Sequence, residues 1–171
     1  MEPVKNDAGK HVVSYSITVE APAAEIYALL ADPHRHHEID GSGTVRSSAI
    51  GAHELTEGAR FSVRMRKFGI RYRLPLRVTR ARAPEKDRAG IVEWRQPTGH
   101  RWRWEFAEKA ENPSATVVTE SYDSSEQIAP VRAALGLTGV NAENATAIKA
   151  SLRRVKTHFE SNKSPGQAGS G

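Results

Sequence analysis

The sequence predicts an α+β domain in which a seven-stranded antiparallel sheet closes on one long C-terminal helix, with two short helices between strands one and two. Three observations carry this prediction. A short alternating segment, Ser14–Val19, runs directly into a proline-initiated amphipathic stretch. After Gly41-Ser42-Gly43 the chain shows strand patterns one after another, separated by turn signals rather than helices. It then ends on a stretch with helical periodicity. Successive strands with short connections favour an antiparallel meander, whereas a parallel sheet would alternate strand and helix.

The first helix is expected to start at Pro22, since a missing N–H costs nothing at the first helical position. Ile26, Leu29 and Leu30 give it one apolar face. Asp32 precedes Pro33 and is pushed out of the helical region, which ends the helix. A second polar turn follows at His34–Ile39. The remaining strands are expected at Thr44–Ala49, Ala59–Arg66, Ile70–Arg82, Gly90–Arg95, His100–Ala107 and Ala115–Asp123. Turn signals divide them: Phe68-Gly69, Pro84-Glu85-Lys86-Asp87, Gln96-Pro97-Thr98-Gly99 and Glu111-Asn112-Pro113-Ser114.

Alternation assigns the faces. Phe61, Val63 and Met65 alternate with Ser62, Arg64 and Arg66; Ile70, Tyr72, Leu74, Leu76 and Val78 alternate with Arg71, Arg73, Pro75, Arg77 and Thr79. Trp102, Trp104 and Phe106 alternate with Arg101, Arg103 and Glu105. Period-two patterning of this kind gives one wet and one buried face. Pro75 lacks an N–H for the ladder, so a bulge or bend is expected there. The last helix is placed at about Asn141 to Glu160, where Ile148, Leu152, Val155 and Phe159 form a stripe for the sheet. Alanines 142, 145, 147 and 150 leave volume beside its N-terminal half.

At 171 residues the chain reads as one domain, residues 11–160, with disordered ends at 1–10 and 161–171. Hydrophobic residues at 38% and charged residues at 26% fit an ordinary globule. No stretch approaches the roughly 20 apolar residues of a membrane span, and MEPVKNDAGK has no secretory character, so a cytoplasmic location is expected. The absence of cysteine excludes disulfides, thiol nucleophiles and thiolate metal sites. A net charge of +5, with no long run of like charge, favours anionic partners without identifying nucleic acid.

Thr116, Val118, Glu120 and Tyr122 share one face of the last strand, and Val118 marks that face as the inner one. An inward Glu120 either sits at a wet rim or meets an arginine, or it serves a ligand as acid or hydrogen-bond partner with a pKa raised by apolar neighbours. Tyr122 beside it is a core tyrosine or a second catalytic candidate. The tryptophans depend on one loop. A two- or four-residue loop around Pro97–Gly99 puts Glu93 on the side of Trp102 and Trp104, and a three-residue loop puts Trp94 there. His34, His36 and His37 do not converge from a fixed backbone and read as a solvated polar turn, so no metal is expected. Glu126–Val140, broken by Pro130, Gly136 and Gly139, is either a lid over a cavity mouth or a docked connector.

Taken in order, VEAPAAEIYALLADP, HHEIDGSGTV, HRWRWEFAE and VVTESYD, with the terminal helix, resemble the START-like or SRPBCC superfamily, the polyketide cyclase/dehydrase-like proteins, over about Val12 to Glu160. The resemblance implies a helix-grip fold with an apolar pocket between sheet and helix, and no universal catalytic motif. It implies binding of a small hydrophobic ligand (lipid-, polyketide- or isoprenoid-like), with cyclase/dehydrase-like activity as a further option and no cofactor. The pocket lining it implies is Phe61, Val63, Met65, Tyr72, Leu74, Trp102, Trp104, Phe106, Val118, Glu120, Tyr122, Ile148 and Leu152. Glu120 and Tyr122 are the candidates for acid–base or hydroxyl-orienting roles. The alternative is a non-enzymatic interaction protein whose outer arginines, Arg71, Arg73 and Arg77 with Arg101 and Arg103, meet RNA, the ribosome or an acidic protein.

Overall fold

The computed structural model describes residues 1–67 and 69–161. Phe68 of the expected turn, and the Gly/Ser-rich tail beyond Ser161, lie outside the described residues. The order is β1 (Val4–Lys5), β2 (Val12–Val19), α1 (Ala23–Leu30), a 3-10 turn (Pro33–Arg35), α2 (His36–Ile39), β3 (Val45–Ile50), β4 (Arg60–Lys67), β5 (Ile70–Arg82), β6 (Gly90–Arg95), β7 (Arg101–Lys109), β8 (Asn112–Asp123), α3 (Ala129–Leu137) and α4 (Val140–Ser161). The strands form one antiparallel sheet in the order β1-β2-β8-β7-β6-β5-β4-β3. This is the expected α+β arrangement, with the helices inserted between β2 and β3 where the sequence puts them.

Two expectations need correction. The N-terminal segment, read as disordered, supplies an additional two-residue strand, because Asn6 bridges β2: its Nδ2 donates to Ser14 Oγ and its Oδ1 accepts from Ser16 Oγ, both at 3.2 Å. The sheet irregularity expected at Pro75 lies instead between Val78 and Arg80. Pro75 pairs with Ser62 of β4, and β6 joins β5 only from Arg77 onward. A residue without an N–H therefore sits where the strand has one neighbour, which is where a sheet tolerates it.

Ile17, Val19, Phe61, Val78, Val92, Trp104, Phe106 and Val118 from the sheet pack with Ile26, Leu29 and Leu30 of α1 and Ile148, Leu152 and Val155 of α4. Tyr27 meets Phe106 edge-on at 6.0 Å, so α1 closes the core over β6, β7 and β8. α4 covers β2 and β8. Its direction follows from three contacts. Lys149 Nζ lies 5.6 Å from the Tyr15 ring centroid, Lys156 Nζ donates to Thr18 O at 3.0 Å, and the Glu20 N–H donates to Glu160 Oε1 at 3.1 Å. α4 thus runs alongside β2 in the same sense, and its N-terminal half is level with Val12–Tyr15 and, across the ladder, Glu120–Asp123.

Candidate functional site

The loop between β6 and β7 sets the composition of the inner wall. Gln96 N donates to His100 O, and Gly99 N to Gln96 O, each at 2.9 Å. Three residues, Pro97-Thr98-Gly99, therefore close the hairpin, and Gly99 supplies the left-handed turn position at φ 93°. Of the two registers open to the sequence, this one pairs Trp94 with Trp102 and Glu93 with Arg103. Trp94 lines the inside, where it stacks on His36 (5.1 Å, 25°) and meets Phe61 edge-on at 5.9 Å. Glu93 stands on the other face, buried, with Oε2 2.7 Å from Arg103 Nε and Oε1 accepting from Thr79 at 2.8 Å.

Glu120 has no such compensation. It is buried on the inner face, opposite Tyr15 and Trp104, and its Oε2 has no hydrogen-bond partner. Neither a wet rim nor an arginine accounts for it. Burial pushes its pKa well above the carboxylate range; the nearby Asp40 charge adds to this, and a hydrogen bond with Ser151 opposes it only in part. Ser151 Oγ in turn accepts from Gly41 N at 2.9 Å. That contact depends on Gly41: a Cβ there would lie 2.2 Å from Ala147 O and 2.3 Å from Ser151 N. Asp40 holds the same turn by accepting from Thr44 N and Val45 N at 2.9 Å.

Toward the N-terminal end of α4 the polar character continues. Tyr122 is buried, 5.4 Å from Trp102 and 4.9 Å from His100 between ring centroids, and burial raises its pKa. Burial pushes His100 down to about 4. Gln127 Nε2 donates to Thr98 O at 3.2 Å and approaches His100 Nδ1 at 3.3 Å, while its buried Oε1 is left without a partner. Asn144, on the α4 face shared by Ile148 and Ser151, has an equally unpartnered Nδ2. An open depression of about 650 Å³ lies at the edge of the sheet, between the Lys5–Lys10 segment and the first turns of α4, lined by Val13, Tyr15, Asn141, Ala142 and Ala145. Val13 and Tyr15 are the ladder partners of Tyr122 and Glu120, so the depression lies one strand away from β8.

The residues singled out in the sequence separate by burial. Phe61, Val63, Trp104, Phe106, Val118, Ile148 and Leu152 are packed into the core. Met65, Leu74 and Trp102 are half-buried, and Tyr72 is 41% exposed. Asn144, Ser151, Gln127 and His100 were not singled out. A polar residue four before and another three after Ile148 on an apolar helix face was the available sign for the first two. The histidines disperse. His36 is buried with Nε2 bonding Leu30 O at 2.9 Å, and His37 Nδ1 bonds His34 O at 3.0 Å. His34 instead joins Asp32 and His53, whose ligand atoms lie within 4.8 Å of one another. Hydrogen bonds account for that group: Asp32 caps His34 N at 2.9 Å and accepts from His53 Nδ1 at 3.2 Å, and the two imidazoles stack at 4.1 Å. α3 buries none of its residues; Ile128, just before it, is 68% exposed and Leu137, its last residue, 90%.

A sheet wrapped on a terminal helix, with short helices inserted after its first long strand, defines a protein of the helix-grip kind. The chain matches the family described as polyketide cyclase / dehydrase and lipid transport over residues 10–160, and it belongs to that family. It is 42% identical over 155 residues to the protein Rv0088 of Mycobacterium tuberculosis, covering 90% of this chain and 66% of that protein, so it spans just under two-thirds of that relative's length. Among solved structures it is similar to a Rhodobacter sphaeroides protein (TM-score 0.68, 13% identity, 94% of this chain and 99% of that one). It is also similar to Ms6760 of Mycobacterium smegmatis (TM-score 0.58, 15% identity, 93% and 99%). At these identities the structural likeness concerns the fold alone. Among the described residues no helix is long and apolar enough to cross a membrane.

Proposed function

We propose that the chain binds a small hydrophobic ligand carrying an oxygen acceptor, under the N-terminal half of α4, with protonated Glu120 as the donor that orients it. The observation that carries this reading is the free Oε2 of a buried carboxyl on the inner face. A protonated carboxylic acid buried among apolar groups is a hydrogen-bond donor, and an unmade bond there is costly. A ligand carbonyl or hydroxyl would satisfy it. The unpartnered Asn144 Nδ2 and Gln127 Oε1 supply one more donor and one more acceptor nearer the Tyr122 end. The open depression of about 650 Å³ beside the first turns of α4, one strand from Glu120, falls within the usual range for small-molecule sites. In any turnover of that ligand Glu120 would act as general acid, with Tyr122 orienting a hydroxyl.

A matched pair of bicyclic probes tests this. α-Tetralone has a carbonyl and tetralin does not, and both are followed by quenching of the intrinsic tryptophan fluorescence. The ketone should bind roughly tenfold more tightly than the hydrocarbon, and Glu120→Leu should abolish that preference while Glu120→Gln, which keeps a donor, retains it. Equal affinities in the unsubstituted protein, or a preference that survives in Glu120→Leu, would refute the role given to Glu120. Native mass spectrometry of freshly purified protein, with denaturing extraction, identifies any ligand carried through purification.

A further inference from the structure

The outer arginines fall into two groups that the sequence does not distinguish. Arg101 and Arg103 are ion-paired, Arg101 with Asp123 (3.1 Å) and Glu126 (3.0 Å), Arg103 with Glu93 (2.7 Å). On the β4–β5 arm the arrangement is reversed. The ladder sets arginine directly against arginine: Arg60 opposite Arg77, Arg64 opposite Arg73, Arg66 opposite Arg71, and Arg77 also opposite Arg95 on β6. All seven are exposed, and no acidic side chain among the described residues pairs with any of them. Directly opposed like charges destabilise a sheet. Folding therefore gains nothing from this array.

We propose that this face of the β4–β5 arm docks on a membrane surface rich in anionic lipid headgroups. Charge complementarity requires a polyanion, and the end of the arm selects which one. β5 runs past β6, leaving residues 70–76 paired to β4 alone. On that free end Ile70 is 68% exposed and Tyr72 41% exposed, both alternating with the arginines and so standing on the other side of the hairpin. A hairpin with a basic face and an exposed apolar end can lay the arginines against lipid headgroups while its end enters the interfacial layer. A phosphodiester chain would have no use for the exposed Ile70. Single-stranded nucleic acid would also call for stacking platforms, and between its arginines this face carries only Ser62, Pro75 and Thr79. The proposal stands on the surface and does not require the cavity to hold a ligand.

The test is co-sedimentation of the full chain with phosphatidylcholine vesicles, with or without about 30 mol% phosphatidylglycerol, at about 50 and 500 mM salt. Binding should favour the anionic vesicles at least tenfold at low salt and fall steeply at high salt. The double variant Arg71→Gln/Arg73→Gln should lose roughly 30-fold, from the usual contribution of each basic side chain near such a surface. Ile70→Asp should weaken vesicle binding at both salt concentrations. Thermal unfolding of the double variant should match or exceed that of the unsubstituted chain, and its tetralone affinity should be unchanged. The proposal is overturned if vesicle binding is absent, if neutral and anionic vesicles bind alike, or if the double variant binds as well as its parent. Arginine-dependent binding to duplex DNA in preference to anionic vesicles would also overturn it.

Discussion

Replacing Glu120 with Gln removes one proton-binding site from the interior and almost nothing else, so it isolates what the buried carboxyl does to stability. The sign follows from linkage. The folded-state pKa of Glu120 is raised, chiefly by burial, above that of the unfolded chain, which titrates near 4.3. Below that pH both states hold the proton and the group has no effect. As pH rises past it the unfolded chain releases the proton while the folded chain keeps it, and stability falls until the folded pKa is reached. The slope in that window is one proton, about 1.4 kcal/mol per pH unit. Gln does not titrate, keeps the shape, and can still meet Ser151.

Urea unfolding of both proteins at pH 5, 6, 7 and 8 reads the effect directly. The stability of Glu120→Gln relative to its parent should grow with pH across the window. In thermal unfolding, roughly 3–5 °C per pH unit is expected for a chain of this size. Every other titrating group is common to both proteins, so the difference belongs to Glu120 alone. A pH-independent difference would show that the carboxyl titrates normally, and the protonated donor on which the binding proposal rests would be lost with it.

Other positions give sharp expectations. Gly41→Ala drives a Cβ onto the backbone of α4, which cannot yield like a side-chain tip, and should cost about 1–3 kcal/mol in urea unfolding with a disturbed Glu120–Ser151 contact. His100, held down to about 4 by burial, should keep neutral-imidazole NMR shifts through pH 5. Its contribution is present above the unfolded value near 6.5 and is lost as pH falls toward 4; a midpoint between 6 and 7 would contradict its burial. Arg103→Met should cost about 3 kcal/mol or more in unfolding experiments, because it strands the buried Glu93 carboxylate.

Local signals carried most of the fold. Asp32-Pro33 ended the helix, alternation on β4, β5 and β7 assigned the faces, and the Ile148 stripe located α4, all from side-chain period and backbone restriction. What stayed hidden was set by distant partners. Gly41 reads as turn chemistry in the sequence, yet its lack of a Cβ matters because α4, more than a hundred residues later, lies against it. Whether Trp94 or Glu93 faced inward turned on a single loop residue, which Gly99 decides by taking the left-handed position. Arg71 and Arg103 occupy the same kind of alternating outward position. Only the ladder shows that one faces another arginine and the other a buried carboxylate.

The two buried glutamates make the case for the site by contrast. Glu93 and Glu120 both belong to central strands and both are nearly inaccessible, at 1% and 5% exposure. Glu93 has Arg103 and Thr79 on its two oxygens, so its burial is accounted for by the fold. Glu120 faces a helix of small and apolar residues, shares one hydroxyl that is already engaged by Gly41, and leaves an oxygen bare. A leucine there would pack against Trp104 and Ile148 without a desolvation cost, so stability alone gives no reason for a carboxyl. A group that folding does not need, buried against α4 with one oxygen bare, points to a partner that arrives after folding.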